Sequence, residues 1–193
     1  LLKKSINDPN PVIFIEHRWL HNVEEKYKKK INKITIGKSG LLSKGKDFTA
    51  ITYSLSTIEL LSLKKFLNNN NVYFDLIDLK TIKPLDLKPA IKSLKKTGKL
   101  LILDSISHPI CSVGSEILSQ ISRDKRIKLT KPPILLTLPD VSSPTSTFYT
   151  KEYYISKKDI IEKIKTLTGK KLKLIFSENI PHDIPDVSFK GPF

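Results

Sequence analysis

Short unbroken apolar runs alternate along this chain with segments whose apolar residues recur every three or four positions. The runs predict strands at 12–15, 36–43, 48–53, 72–79, 100–103 and 134–138. Residues 72–79 and 100–103 are too apolar for strands with one face in water, so both are expected to be buried on both faces. Helices predicted between the strands make this an α/β domain, with a mostly parallel sheet covered by helices on both faces.

Residues that begin and end helices support the same pattern. Side chains able to cap a helix precede three helical segments, at Ser54, Asp86 and Ser156. Ser156 with Asp159 has the spacing of a capping box. Glycines expected to end helices in the left-handed conformation are Gly98 and Gly169.

Length and composition place the chain among single-domain proteins of the cytoplasm. Its 193 residues can bury one main core, and its one cysteine, Cys111, cannot form an internal disulfide. Neither a signal peptide nor an apolar run of about 18 residues, enough to span a membrane, is recognised. Because the sequence contains no methionine and opens within an apparent helix, we expect it to be a fragment.

The formal charge of +15 raises the alternative of a basic module that binds nucleic acid. Only three of the cationic residues are arginine, and the lysines are scattered through every predicted helix. Phosphate and base readers favour arginine forks and clustered stripes. The lysine excess is therefore interpreted as compositional bias, and a nucleic-acid or membrane partner is not expected.

Residues 72–86, with the sequence VYFDLIDLKTIKPLD, carry the most specific motif. This stretch resembles the signature of the C-terminal domain of thiamine-diphosphate-dependent enzymes, and most closely the β-type subunit of the 2-oxoacid dehydrogenases. Further pieces follow the same order as in that family, at 10–16, 36–38, 96–100, 113–117 and 139–141. The resemblance covers nearly the whole chain.

The resemblance implies a domain organisation and an architecture. Residues 1–22 would end an upstream pyrimidine-type domain, 23–33 would be a linker, and 34–169 would form a transketolase C-terminal-like domain. An extended tail would follow at 170–193. The sheet would have five main strands, with one antiparallel strand at its edge.

The resemblance also implies a function. Such enzymes oxidatively decarboxylate a 2-oxoacid on thiamine diphosphate with Mg²⁺ and transfer the acyl group to lipoamide. The implied partners are an α-type subunit, a second β-type subunit and a dihydrolipoyl acyltransferase core. The carboxylate that activates the cofactor lies upstream in the family, so this fragment alone is expected to be inactive. A transketolase or a deoxyxylulose-phosphate synthase, which share the domain, is the alternative within the enzymes.

One implied site lies in the turn before the first strand. In the similar subunits this turn holds potassium, which here implies main-chain oxygens of Ser5 and Ile6 with side chains of Asp8 and Asn10. Hard cations prefer such oxygen ligands. The alternative is that Asp8 and Asn10 only satisfy the backbone of their own turn.

The cluster after residue 15 is the other candidate site. Glu16, His17 and Arg18 follow a predicted strand, and ligand-facing groups gather at strand ends in open α/β sheets. Their spacing defines no mechanism, so a place at the rim of an active site or in an interface is preferred to a catalytic role. Cys111 near His108 is interpreted as a half-buried structural cysteine, with nothing to orient the histidine.

Irregular segments, two of which carry aromatic residues, predict contact surfaces for assembly. They are the loop 107–113, the segment 139–154 and the tail, with these rings: Phe148, Tyr149, Tyr153, Tyr154, Phe189 and Phe193. Aromatic side chains are enriched at interfaces because they bury a large area with few rotatable bonds. The alternative is that these rings fold back on their own domain.

Overall fold

A computed structural model describes residues 1–17, 20 and 35–172 of the chain. These described residues contain five strands, β1 to β5 in chain order: Gly40–Ser43, Phe48–Thr52, Phe74–Asp78, Leu100–Asp104 and Ile134–Thr137. The helices α1 to α7 are Leu2–Ile6, Leu55–Ser62, Lys64–Asn69, Lys88–Thr97, Val113–Arg123, Thr147–Tyr153 and Lys157–Thr168. None of the helices in this described part is long and apolar enough to cross a membrane.

The strands form one sheet in the order β1-β3-β2-β4-β5. β2, β3, β4 and β5 run parallel, and β1 pairs antiparallel with β3 at the edge. The predicted five-stranded, mostly parallel sheet with one antiparallel edge strand is therefore confirmed.

Helices cover both faces of this sheet. Side chains of α2, α3 and α7 pack on one face, and those of α4 and α5 pack on the other. β4 shows why a run of aliphatic residues is needed, since Leu101 and Leu103 point into the first core while Leu100 and Ile102 point into the second. All five residues of β4 are buried, as its sequence predicts.

The predicted helix ends are partly confirmed. Gly98 and Gly169 adopt φ values of 61° and 73° at the ends of α4 and α7. Ser156 and Asp159 form the predicted capping box. Ser54 precedes α2 but makes no side-chain capping bond, and its φ of 53° differs from the extended conformation usual at an N-cap.

Asp86 was expected to be the N-cap of α4, and this assignment is wrong by one residue. Leu87 occupies the N-cap position, while Asp86 Oδ1 accepts a hydrogen bond from the Lys88 amide at 3.2 Å. Asp86 also accepts a bond from the Ser39 amide, so it joins the entry of α4 to the segment before β1.

Asp75, buried on β3, organises the edge of the sheet at which the parallel strands begin. Its carboxylate accepts hydrogen bonds from the Gly45 amide at 2.7 Å, Ser93 Oγ at 2.6 Å and Lys96 Nζ at 2.7 Å. Burial raises the pKa of Asp75, but the bonds from Lys96, Ser93 and Gly45 outweigh it and leave the pKa below its usual value. This network joins β3 to α4 and to the turn after β1.

The strand predicted at 12–15 is wrong for the described residues, where this segment pairs with no other strand. Its side chains are exposed, with Ile13 at 88% and Ile15 at 89%. A strand needs a neighbour to satisfy its backbone hydrogen bonds, and the described residues supply none here. The predicted linker at 23–33 and most of the predicted tail lie outside the described residues, so the domain boundaries stay predictions.

Candidate interface at the carboxyl edge of the sheet

The order in which strands are added to the sheet reverses between β2 and β4, since β3 lies on one side of β2 and β4 lies on the other. In open α/β sheets, ligands commonly bind in the crevice at such a point, beyond the carboxyl ends of the strands. Here Tyr53 OH donates a hydrogen bond to Asp104 Oδ1 at 2.6 Å across this position. Both residues are buried. The domain's own side chains therefore fill the usual ligand position.

The other oxygen of Asp104 holds the start of α5. The Gly114 amide donates to Asp104 Oδ2 at 3.2 Å, and Ser112 caps the same helix by accepting from the Ser115 amide at 3.0 Å. A Cβ atom on Gly114 would lie 2.5 Å from Leu135 Cδ1. Gly114, in the first turn of α5, therefore allows this helix to pack closely against β5.

Tyr53 belongs to this network as a neutral phenol. Burial is the largest cause that raises the pKa of Tyr53, and the hydrogen bond to the Asp104 carboxylate raises this pKa further. Ser107 Oγ, 3.1 Å from the phenol oxygen, joins the network from the loop after β4. Asp104 and Tyr53 thus connect β2, β4, this loop and α5.

A second polar network lies beside the first. Ser105 Oγ donates to Glu59 Oε2 at 2.8 Å, and Ser56 Oγ lies 2.7 Å from Ser105 Oγ and accepts from the Ser105 amide. Burial raises the pKa of Glu59, against the opposing effects of the Ser105 bond and the Lys157 charge. These contacts fix α2 against the first residue after β4.

The loops after β4 and β5 are joined to each other. The Leu138 amide donates to the Ser107 carbonyl at 2.9 Å, and His108 Nδ1 donates to the Pro139 carbonyl at 2.7 Å. Tyr153 packs edge-on against His108, with ring centroids 6.4 Å apart. The expectation that nothing orients His108 is therefore wrong. Cys111 was expected to be half-buried, but it is exposed and has a φ of 55°.

The segment 139–154 contains a helix that the sequence pattern did not predict. Ser146 caps α6, accepting from the Phe148 amide at 3.3 Å. Phe148 and Tyr149 are 73% and 61% exposed, whereas Tyr153 is buried. The prediction that these rings face outward therefore holds for Phe148 and Tyr149 and is wrong for Tyr153.

Exposed apolar side chains are grouped on these joined loops and on α6. We call them the carboxyl-edge surface: Ile106, Ile110, Val141, Phe148 and Tyr149. Asp104 binds the Gly114 amide at the end of the loop after β4, and His108 joins this loop to the loop after β5 through the Pro139 carbonyl. The loop 107–113 and the segment 139–154, both expected to form contact surfaces, are thus held together at one edge of the sheet.

The turn proposed for potassium forms a local hydrogen-bonded unit. Asp8 Oδ1 accepts from the amide and side-chain nitrogens of Asn10 at 3.0 and 2.9 Å, and the Ser5 carbonyl accepts from the Asp8 amide at 3.2 Å. The bond from the Asn10 amide, then that from its side chain, lowers the pKa of Asp8. These contacts are those of the alternative in which Asp8 serves its own turn. The oxygens of Ser5, Ile6, Asp8 and Asn10 are also ligands of the kind that a hard cation prefers.

The second candidate cluster is only partly described. His17 is half-buried, and burial lowers its pKa, while Glu16 is exposed. Arg18 lies outside the described residues, so the rim role of Glu16, His17 and Arg18 stays a prediction. Among the described residues, no three His, Cys, Asp or Glu side chains are grouped to hold a metal ion.

Known proteins similar to this chain agree with its motifs. It is 30% identical over 169 residues to the pyruvate dehydrogenase E1 component subunit beta of Porphyra purpurea, covering 88% of this chain and 51% of that protein. The same subunit from Rickettsia felis is 32% identical over 86% of this chain and 50% of that protein. The resemblance to β-type subunits is therefore confirmed, and the chain spans about half the length of these relatives.

A further relative and a solved structure extend the comparison. The acetoin:2,6-dichlorophenolindophenol oxidoreductase subunit beta of Cupriavidus necator is 31% identical over 64% of this chain and 36% of that protein. A split gene transketolase, described as an inactive beta4 tetramer, superposes with a TM-score of 0.63. The two proteins are 20% identical, and the superposition covers 77% of this chain and 48% of the transketolase chain. The comparison therefore shows a shared fold.

The family model for the transketolase C-terminal domain matches residues 37–160, which include all of the sheet from β1 to β5 and the carboxyl-edge surface. The chain therefore belongs to the transketolase C-terminal domain family.

Proposed function

We propose that this chain is the C-terminal half of a β-type subunit of a thiamine-diphosphate-dependent 2-oxoacid dehydrogenase. The support is the similarity to pyruvate dehydrogenase and acetoin oxidoreductase β subunits, together with the motif at 72–86. The assembled enzyme would oxidatively decarboxylate a 2-oxoacid and pass the acyl group to lipoamide.

Within that enzyme the described residues have a structural role in the assembly and carry out no chemistry. Thiamine diphosphate with Mg²⁺, when bound elsewhere in the assembly, supplies the carbanion chemistry of decarboxylation. The crevice where this type of sheet would take a ligand is filled by Tyr53 and Asp104. We therefore propose that this domain serves to contact other subunits, and that the chain by itself is inactive.

The carboxyl-edge surface is the observation on which the assembly role rests. Five apolar side chains stand exposed on two loops and a helix. The buried bond from the Gly114 amide to Asp104 and the exposed bond from His108 to Pro139 hold the loops in place. Rigid apolar surfaces of this kind are typical of protein interfaces. The partners we assign to the assembly are a second β-type subunit, an α-type subunit and the dihydrolipoyl acyltransferase core.

Association of the 193-residue chain tests this role. Sedimentation velocity at tens of micromolar is expected to show a dimer or larger species. Ile110→Glu with Phe148→Glu should weaken association by about a hundredfold, because each change buries a charge at the contact. Leu42→Glu is the control, since Leu42 is exposed on β1, the edge strand farthest from β5.

The control variant should associate like the unaltered chain. A chain that sediments as a monomer at these concentrations would contradict the assembly role. So would equal association of the Ile110→Glu, Phe148→Glu variant and the unaltered chain.

We also propose that the turn at Asp8 holds potassium in the assembled protein. Ser5 and Ile6 would supply main-chain oxygens, and Asp8 and Asn10 would supply side-chain oxygens. The cation would neutralise the exposed Asp8 carboxylate and stiffen the connection between α1 and the extended segment after it.

Thermal melting in different salts tests the potassium site. The protein should melt at a higher temperature in potassium chloride than in tetramethylammonium chloride of equal ionic strength, because the cation binds the folded state. Asp8→Ala should abolish the difference, while Asp140→Ala, at another exposed carboxylate, should leave it. Equal melting of the unaltered protein in both salts would rule the site out.

A further inference from the structure

A group of basic side chains lies at the edge of the sheet opposite the carboxyl-edge surface. Helix α4 ends there before β4 begins, and the segment 124–131 passes beside it on the way to β5. We call this group the amino-edge basic patch: Lys92, Lys95, Lys99, Lys125, Arg126, Lys128 and Lys131. All of these side chains are exposed except Lys99, which is half-buried.

Direct contacts bring the two parts of the patch together. The Thr130 amide and its Oγ1 both donate to the Gly98 carbonyl, at 2.7 and 3.1 Å. A Cβ atom added to Gly98 would lie 3.5 Å from the Lys128 carbonyl oxygen. The end of α4 therefore packs against 128–130, and the lysines on both segments share one surface.

In the described segments that form the patch, 88–99 and 124–131, Asp124 is the one carboxylate. Asp124 binds Arg126 through two contacts, 2.6 Å from Nη2 and 2.8 Å from Nε. Arg126 lowers the pKa of Asp124 to about 2, and the nearby charge of Lys95 adds to this effect. Asp124 is thus already paired, and it neutralises little of the remaining charge.

The lysines of the patch form no ion pair within the described part of the chain, although Lys95 lies near Asp124. By contrast, Lys96 and Lys170 pair with Asp75 and Asp47 at 2.7 and 2.8 Å. Lys92 and Lys95 are three residues apart on the outer face of α4, where like charges repel and weaken a helix. An external anion bound at the patch would relieve this repulsion.

We propose that the amino-edge basic patch binds an acidic, extended segment of a partner protein. Carboxylates on alternate residues of an extended chain are about 6.6 Å apart. This spacing is close to the roughly 5 to 6 Å between neighbouring side chains on one face of a helix such as α4. A second copy of this chain is a poor occupant, since its charge of +15 would repel the patch.

Nucleic acid fits the patch less well than an acidic polypeptide. One of the seven cationic side chains is arginine, the residue suited to bidentate phosphate contacts. No aromatic side chain belongs to the patch, so it lacks the stacking platform of proteins that bind single strands. Because the patch and the carboxyl-edge surface lie at opposite edges, the acidic segment can bind while the assembly contact is occupied.

Fluorescence anisotropy with a labelled oligo-glutamate peptide of about twelve residues tests the proposal on the 193-residue chain. Lys92→Glu with Lys128→Glu is expected to weaken binding by about tenfold or more, because it reverses two charges within the patch. The control is Lys65→Glu with Lys163→Glu, which reverses as much charge on α3 and α7 at the other face of the sheet. The control is expected to weaken binding by less than about threefold, through net charge alone.

Three results would overturn the proposal. They are an absence of oligo-glutamate binding at low salt, equal weakening by the patch and control variants, and tighter binding of an oligonucleotide of equal charge at the same salt. The last result would make the patch a nucleic-acid site. None of these results depends on the carboxyl-edge surface, so they leave the assembly role to its own test.

Discussion

Replacing Gly45 with alanine is expected to destabilise the fold by about 3 kcal/mol or more, which corresponds to a melting temperature roughly 6 to 12 °C lower for a domain of this size. A Cβ at this position would lie 2.0 Å from the Phe74 amide nitrogen and 2.1 Å from the Tyr73 carbonyl carbon. Those are backbone atoms, which cannot rotate away as a flexible side chain can.

Relief of this clash would disturb the sheet itself. The Gly45 amide donates to Asp75, and Phe74 pairs with Phe48 in the register of β2 and β3. Moving the turn away from β3 therefore weakens the buried Asp75 network as well as the packing. Urea denaturation monitored by circular dichroism measures the loss.

Gly169→Ala provides the matched control for the same change of residue. Gly169 has a φ of 73° but no atom within 4 Å of an added Cβ. Its substitution should cost only the strain of the left-handed conformation, about 1 to 2 kcal/mol. Equal destabilisation by the two variants would show that the contact with β3 is not the cause.

Asp104→Ala is expected to cost about 3 kcal/mol, because it leaves two buried donors without their carboxylate. Tyr53 OH and the Gly114 amide both lose an acceptor in the interior. Hydrogen exchange should also become faster in the loop 105–112, since α5 is no longer tied to β4. Denaturation and exchange together measure the effect.

A double-mutant cycle distinguishes a lost hydrogen bond from a simple cavity. Tyr53→Phe combined with Asp104→Ala should cost less than the sum of the two single changes, because the phenol donor is removed with its acceptor. Asp140→Ala, at an exposed carboxylate, should change stability by less than about 0.5 kcal/mol. Additive single changes, with no faster exchange in 105–112, would contradict the anchoring role of Asp104.

The stability of this loop bears on the proposed assembly. Ile106 and Ile110 lie on the segment that Asp104 and Gly114 hold in place. If the loop becomes mobile, association must also restore its order, which costs conformational entropy. Asp104→Ala is therefore expected to weaken association of the chain without altering the exposed side chains.

Local pattern determined much of the architecture from the sequence by itself. Four consecutive aliphatic residues at 100–103 allow few structures other than a strand buried on both faces. Gly98, Gly169 and the Ser156 capping box end or begin helices through bonds to residues only a few positions away. Signals of this short range, together with the motif at 72–86, were sufficient for the fold and the family.

Tertiary structure decided what depends on residues distant in the chain. Tyr53 and Asp104 are 51 positions apart, and neither position signals that the phenol would fill the crevice between β2 and β4. Tyr153 is buried against His108 while Phe148, on the same helix, is exposed, so the face of α6 that meets the domain depends on a residue distant in the chain. The amino-edge basic patch arises in the same way, since scattered lysines become one surface only when the end of α4 packs against 128–130.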